Sequence, residues 1–557
     1  MRATITKKQV LLAILVLAFV LRVWNIGVQD FFGDEGVYAF RGVGYLDYLG
    51  TSFQTQPIDW YKDQALPSWT HLSFHDFPPL GLLIQHIFFY VFGDSILVAR
   101  LPAVILGTLS VLLIYGIVRM LFDESLALFS AFLFSIENVM VWIFRTSLLE
   151  PTLLFFILLN IYFFFKFLEQ HHRHWIWFGI TLGCVALTKY TGIFLVPLYI
   201  VYILIEKRSL FKNWHLYAAG GIAFVLLMPV IVYNIFLFQA TGHFDLQVAY
   251  LFGQDTPEWT GLVGKIQAPF SELWRYATQG ALDGSGVVGF YGIAGVGGAL
   301  FGLFSMTYAV YKKKILFKSY FFLILYIVFV TLLLIKIGSA HRFLTLYGLP
   351  FIIFFAYGLA LLWQKRENVF VPYCLRGIAI VVVGGELFLT VHTNIIAVPD
   401  FGIAKLDQYF EQEFKNKESA VMPVADNQHL NAIIEKFAEK KSETKDRAFS
   451  MIVYNDNVEL PILDWIFYRR FFYHSIPALF VENFTRALVA EGPQYFKDFD
   501  IYFVQSTEHT LLNQFKKEKT VGLVFEQDLI KSGETVDAII YGHDNLPMFK
   551  IYKLSTR

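Results

Sequence analysis

The chain has 557 residues, of which 56% are hydrophobic, 18% aromatic and only 16% charged, well below the roughly 25% charge of an ordinary soluble domain, and this excludes a wholly water-soluble globule. Its 45 basic and 45 acidic side chains cancel, so no global field favours nucleic acid or another polyanion, and any electrostatic argument must be local. The two cysteines, Cys184 and Cys374, lie far apart in apolar stretches, which leaves no disulfide framework and no Cys-x-x-Cys metal site to build.

In chain order, the first apolar run, 9–27, follows Arg2, Lys7 and Lys8 as the core of a signal peptide would. It is as long as a membrane span and lacks a small-residue cleavage site, so a retained first helix is expected. A helix needs about 20 apolar residues to cross the hydrocarbon core. Runs that meet or nearly meet this follow at 98–121, 125–143, 151–168, 175–188, 191–206, 215–239, 287–311, 318–336, 344–363 and 372–395, for a total of about eleven spans. The run 79–92 is shorter, opens on Pro-Pro and closes on Gly93-Asp94, which suits a helix lying at the interface. With the N-terminus inside, Arg119, the 171–174 histidine cluster, Lys207, Arg208, Lys212, Lys312, Lys313, Lys314, Lys318, Lys365 and Arg366 all fall in inner loops, as the positive-inside bias expects.

The expected outer segments are then 28–97, 144–150, 189–190, 240–286, 337–343 and everything after about 396. The chain divides on this reading into a membrane domain, 1–395, and a soluble domain, 396–557. The tail changes character: 411–417 and 435–447 are charge-rich, and β-branched or aromatic runs follow at 450–454, 501–505, 521–525, 537–541 and 549–553, which reads as a small α/β domain on the outer side. The sequon Asn483-Phe484-Thr485 would be accessible there. The fold class is therefore mainly α, a polytopic helical bundle carrying a C-terminal extracytoplasmic α/β domain.

The first outer loop begins with Phe32-Gly33-Asp34-Glu35-Gly36. Two carboxylates so near lipid are costly unless paired, hydrated or used, although a helix N-cap followed by a first-turn acid would read the same way. The loop continues with His75-Asp76-Phe77-Pro78-Pro79-Leu80, a segment that could equally be a rigid turn before the next helix. Arg100-Leu101-Pro102 opens the second span, where an arginine could simply snorkel to head groups. Arg145-Thr146-Ser147-Leu148-Leu149-Glu150-Pro151, Leu187-Thr188-Lys189-Tyr190 and His341-Arg342-Phe343 occupy later outer turns. Cations beside carboxylates at a lipid-water boundary suit transfer from a lipid-linked phosphate: the leaving phosphate needs fixed positive groups and an attacking hydroxyl needs a base. His243, Asp245, Asp255, Trp259, Trp274 and Arg275 mark the 240–286 loop as an acceptor or sugar contact, or as an interfacial segment anchored by tryptophan.

These motifs together resemble the family of protein O-mannosyltransferases and lipid A aminoarabinose transferases, within the GT-C superfamily of membrane glycosyltransferases. The resemblance covers about the first 210 residues and resumes near His341. It implies Asp34 as the general base with Glu35 assisting, Arg145, Lys189 and Arg342 as donor-phosphate ligands, and His75, Arg100, Glu150 and His341 as further substrate contacts. Two departures stand out: two residues separate His75 from the Pro-Pro pair, and Glu150 replaces the aspartate many relatives carry. The implied reaction is inverting, from a dolichyl or undecaprenyl phosphate sugar donor to a protein, lipid or glycan hydroxyl; the balanced charge leaves no nucleic acid partner to expect, and a plasma membrane is the expected location. No cofactor is implied. No metal is expected either, since the outer loops before residue 240 contain no Asp-x-Asp, and Asp498-Phe499-Asp500 reads as a strand edge. The absence of disulfides and of a cleavable signal fits a prokaryotic source. A transporter or lipid flippase is the alternative, with Glu137 and Glu386 as its intramembrane acids. No half-to-half repeat accompanies them.

Overall fold

A computed structural model describes residues 6–46, 57–61, 64–254, 271, 291–313, 317–338, 340–363, 370–415, 423–425, 427–439, 449–455, 462–497, 499–510 and 521–555. The helix boundaries follow from local capping chemistry. Thr6 and Gln9 form a reciprocal capping box at the start of Lys7–Val23, Ser95 caps Ile96–Leu121, and Asp123 accepts two backbone N–H groups at the start of Glu124–Ile136. Each side-chain oxygen satisfies donors that the first helical turn leaves unpaired. Asn213 does the same for Trp214–Thr241, which stops at Gly242 with φ +84°, a left-handed conformation that glycine reaches without steric penalty.

Six helices among the described residues are long and apolar enough to cross a membrane: Ile96–Leu121, Glu150–Glu169, Trp214–Thr241, Phe317–Ile337, Arg342–Trp363 and Tyr373–Ile396. The other expected spans are shorter or interrupted. Lys7–Val23 has 17 residues, and 191–206 becomes a 3-10 turn, Tyr190–Phe194, running into Leu195–Glu206. The run 125–143 divides at Glu137, whose carboxylate turns back to cap Asn138–Ile143 through Met140 N at 2.8 Å. Helix length therefore does not by itself establish eleven crossings. The interdigitated interior includes Ile14, Val111, Phe134, Ile157, Phe164, Phe322 and Phe355. Helices Ile293–Tyr311 and Gly348–Trp363 meet backbone to backbone, since a Cβ on Gly302 would lie 1.8 Å from the Phe354 carbonyl oxygen. Small residues permit such approach where packing rather than the hydrophobic effect must hold helices together.

The tail contains a five-stranded sheet of order β2-β1-β3-β5-β4, with β1 Phe449–Tyr454, β2 Ala478–Phe480, β3 Phe499–Ser506, β4 Ala538–Tyr541 and β5 Pro547–Ser555. The first three strands run parallel and β5 pairs antiparallel with both β3 and β4. One expected strand is corrected: 521–525 opens the helix Val521–Lys531. Its inward positions, Gly522, Phe525, Glu526 and Leu529, follow helical spacing, with Phe525 and Leu529 packed under the sheet and Glu526 accepting the Tyr552 hydroxyl at 2.7 Å. The three-residue β2 lies in a stretch that sequence reading left unassigned. Asn483 of the sequon is exposed on the helix Val481–Glu491.

The tail's interior continues into the first loop. Phe31, Ala39, Phe89 and Ile96 share one buried cluster with Ile403, Leu406, Trp465, Ile466 and Phe549. The Asp30 carboxylate accepts the backbone N–H groups of Phe401 and Ala404. The Asp94 carboxylate meets His474 Nε2 at 2.6 Å and lies 3.6 Å from Arg469 Nη1, which donates to the Asp94 carbonyl.

Candidate active site

Asp34 and Glu35 adjoin in sequence but point into different environments. Asp34 precedes the helix Glu35–Gly44 yet makes no side-chain capping bond. Its carboxylate instead meets Arg342 Nη1 at 2.7 Å and accepts the Tyr38 hydroxyl at 3.2 Å. Glu35 is the structural acid. It accepts Arg100 Nε at 2.9 Å and Nη2 at 3.1 Å, Ser147 N at 2.9 Å, Ser147 Oγ at 3.2 Å and Phe32 N at 3.1 Å. Arg100 in turn donates to the carbonyls of Ile26, Gln29 and Asp30, so it ties the end of the first helix to the acid-bearing helix rather than snorkelling.

Arg342 links Asp34 to a second buried acid. It lies on the 3-10 turn His341–Tyr347, and its Nε is 3.1 Å from Glu150 Oε1. The same Glu150 oxygen accepts Lys189 Nζ at 2.5 Å, and that ammonium also sits 4.6 Å from the centre of the Phe343 ring. Lys189, which has no anionic neighbour in sequence, thus finds its partner at the start of Glu150–Glu169. Burial pushes the Asp34 carboxyl up, but Arg342, Lys189 and the Tyr38 hydroxyl outweigh it and hold the group below its ordinary value. For Lys189 burial dominates over the attraction of Glu150 and lowers its pKa. Removing Glu150 would leave Lys189 without its paired acid in a poorly solvated site.

Arg145 is placed differently from the clamp expected of it. Its Nη1 donates to the Leu21 carbonyl at 2.7 Å and its Nη2 to that of Trp24 at 2.8 Å. It still lines, with Asp34, Glu35, Arg100, Asn138, Trp142 and Arg342, a cavity of about 580 Å³. His75 is buried away from this group: its carbonyl accepts Leu246 N at 2.8 Å and its ring stands edge-on to Trp60. Its neighbour Asp76 takes both hydrogen bonds of Arg41 Nη1, at 2.9 and 3.0 Å. The backbone of His341 is in the 3-10 turn and its side chain lies outside the described residues, as do Asp255, Trp259, Trp274 and Arg275. Asp245 accepts the Tyr190 hydroxyl at 2.6 Å and Asn234 Nδ2 at 2.8 Å and caps Leu246–Phe252, so it braces the turn that carries Lys189. Among the described residues no group of three or more His, Cys, Asp or Glu is disposed to hold a metal ion. Sequence reading did not single out Arg41 or Asp464. Only the position of Arg41, seven residues past Asp34 on one short helix, could have drawn attention to it.

Residues 76–233 match the family described as dolichyl-phosphate-mannose-protein mannosyltransferase. Protein O-mannosyl-transferase 1 of Rattus norvegicus is 26% identical over 301 residues, 49% of this chain and 36% of that protein. The Homo sapiens protein of the same name is 34% identical over 127 residues, 21% of this chain and 16% of that one. The chain thus matches between 16% and 36% of the length of these relatives. Among solved structures, ArnT from Cupriavidus metallidurans bound to undecaprenyl phosphate superposes with a TM-score of 0.55 at 12% identity, covering 98% of this chain and 97% of that one. The oligosaccharyltransferase AglB from Archaeoglobus fulgidus, in complex with an inhibitory peptide and a dolichol-phosphate, gives 0.54 at 14% identity, with 90% and 69% covered. The chain shares the fold of these two structures, a mainly helical bundle with a small sheet region at its C-terminus, and its resemblance to the protein O-mannosyltransferases extends over the matched part of the chain.

Proposed function

We propose that this chain is an inverting glycosyltransferase that moves a sugar from a polyprenyl phosphate to a hydroxyl acceptor at the outer face of a plasma membrane. The observation that carries the reading is the Asp34 carboxylate: it serves no capping role, faces a cavity and is held ionised by Arg342. An ionised carboxylate with two partners, where its neighbour accepts five bonds, keeps lone pairs with which to take a proton.

In the proposed step Asp34 removes the acceptor hydroxyl proton as the oxygen attacks the anomeric carbon. The bond from that carbon to the phosphate oxygen breaks on the opposite face, and the lipid phosphate leaves with the electron pair. Arg342 and Lys189, preset by Glu150, would receive the charge that develops on the phosphate, the situation in which preorganised cations contribute most. Arg145, fixed on carbonyls, would add positive potential to the cavity without swinging onto the donor. Glu35 and Arg100 would hold the helix that aims Asp34. The eleven-span topology and the separation of membrane and outer domains near residue 396 belong to the same proposal, as do a lipid-linked donor and a protein, lipid or glycan acceptor.

The test is Asp34→Asn in membranes supplied with a polyprenyl phosphate sugar. Transfer should fall by roughly 10²- to 10⁴-fold, the range for loss of a positioned base, with abundance in the membrane unchanged. Transfer at the native rate in that variant rules out Asp34 as the base.

A further inference from the structure

The turn Leu463–Tyr468 of the tail packs on the acid-bearing helix Glu35–Gly44. Trp465 stands edge-on to Phe31 with ring centres 5.1 Å apart, and Phe40 faces Tyr468, Phe472 and Tyr473. The fit is close enough that a Cβ on Gly44 would meet the Tyr473 hydroxyl at 2.1 Å. Within this dry contact lies Asp464, 2% exposed, with its Oδ1 lacking any hydrogen-bond partner. The charges it senses are Arg41, already engaged bidentately by Asp76, and Asp34.

We propose that Asp464 is a positioning residue for Asp34, acting through Arg41 and the helix Glu35–Gly44, and that it must carry its proton for the site to stay assembled. This role rests on the reading of Asp34 as the base. An ionised carboxylate here would be a buried charge with an unsatisfied oxygen, costly enough that the tail would loosen rather than keep it. Burial is the largest influence and pushes the Asp464 carboxyl up to about 8; Arg41 opposes the rise and Asp34 adds to it. The other titratable groups around the turn are occupied. On the tail side, Arg469 and Arg470 both bind Asp407 and Glu411, and the hydroxyl of Tyr468 is pushed up to about 12 by burial and by Asp464 itself. From Leu80–Phe92, His86 directs Nδ1 to the carbonyls of Gly42 and Val43. Asp464 is therefore the group placed to report alkaline pH to the acid-bearing helix.

The test compares wild type with Asp464→Asn, which mimics the protonated form, through kcat/KM for sugar transfer between pH 6 and 9.5. Wild type should fall above pH 8 to about one tenth of its plateau one unit higher, as a single ionisation requires. Asp464→Asn should hold the plateau through that range; an unchanged alkaline fall in the variant overturns the proposal. A second readout does not depend on this variant folding. In infrared pH-difference spectra the protonated carboxyl band of Asp464 should titrate in the wild type, and its midpoint should move to lower pH in Asp34→Asn, where one nearby negative charge is gone. A midpoint indifferent to Asp34 also overturns it. If that band titrates as expected but no polyprenyl phosphate sugar is ever transferred, the proposed reaction falls and this role with it, whereas transfer with an unaltered Asp464→Asn profile removes the Asp464 role alone.

Discussion

The surroundings of Asp34 and of Glu35 are two regions that start from neighbouring residues and end in opposite uses. The Glu35 side chain is 2% exposed against Arg100 at 3%, and its remaining acceptor sites are filled by Ser147 and Phe32. The Asp34 side chain is 43% exposed and shares Arg342 with Glu150. A fully satisfied buried pair fixes geometry, while a half-open one leaves lone pairs for substrate. The comparison teaches that in an adjacent acid pair the buried member is the support, and on the proposed function the open member is the reagent.

The largest way to break that contrast is Glu35→Ala. It strands Arg100 in the interior, and removing one partner of such a pair costs about 3–5 kcal/mol. Thermal unfolding of the detergent-solubilised protein should shift down sharply, and abundance should drop. In Asp34→Asn the same measurement should move much less, since Arg342 keeps Glu150 as a partner. A stable Glu35→Ala protein that has lost only transfer would reverse the two roles.

A middle-sized effect sharpens the phosphate side. Lys189→Ala leaves Glu150 with Arg342, so the fold should survive, while donor binding weakens by roughly tenfold, or about 1.4 kcal/mol. The change should appear in KM for the polyprenyl phosphate sugar and much less in KM for the acceptor; equal changes would count against phosphate binding. The acid limb gives an independent check. Asp34's folded pKa is depressed, with Lys189 among the causes, so its ionised form adds stability above the unfolded carboxylate value and loses it as pH falls through the lower folded value. Transfer in the wild type should thus persist below the ordinary aspartate pKa of about 3.9. In Lys189→Ala that limb should move to higher pH.

Much of this was legible in the sequence because membrane chemistry is restrictive: Asp34, Lys189 and Arg342 stand out where charge is costly unless used. Their convergence was not legible. Nothing local says that Lys189 and Arg342 meet on one Glu150 oxygen, or that Arg145 spends its donors on Leu21 and Trp24. The β-branched start of 521–531 reads as a strand until its inward positions are seen to follow a helical period against Phe503 and Tyr552. Asp464 carried no signal at all, since its meaning comes only from the helix on which its turn is packed.

The smallest expected effect comes from an exposed pair inside the tail and serves as the contrast to the buried contacts that join the tail to the first loop. Lys405 pairs with Asp400 at 2.6 Å, with side chains 49% and 36% exposed, and also donates to the Tyr541 carbonyl. Exposed pairs of this kind contribute about 0–1 kcal/mol and are screened by salt. Lys405→Ala should therefore change unfolding by less than about 1 kcal/mol, and high salt should erase the difference. Lys405 and both its partners lie within the tail, whereas Asp30 and Asp94 reach from the first loop into the tail from partly buried positions, and Asp94 is held ionised by His474 and Arg469 despite its burial. Asp94→Asn should release the tail, measured by proteolysis after residue 396, while Lys405→Ala, whose contacts stay within the tail, should not; equal release in the two variants would deny the buried Asp94 contact its assigned importance.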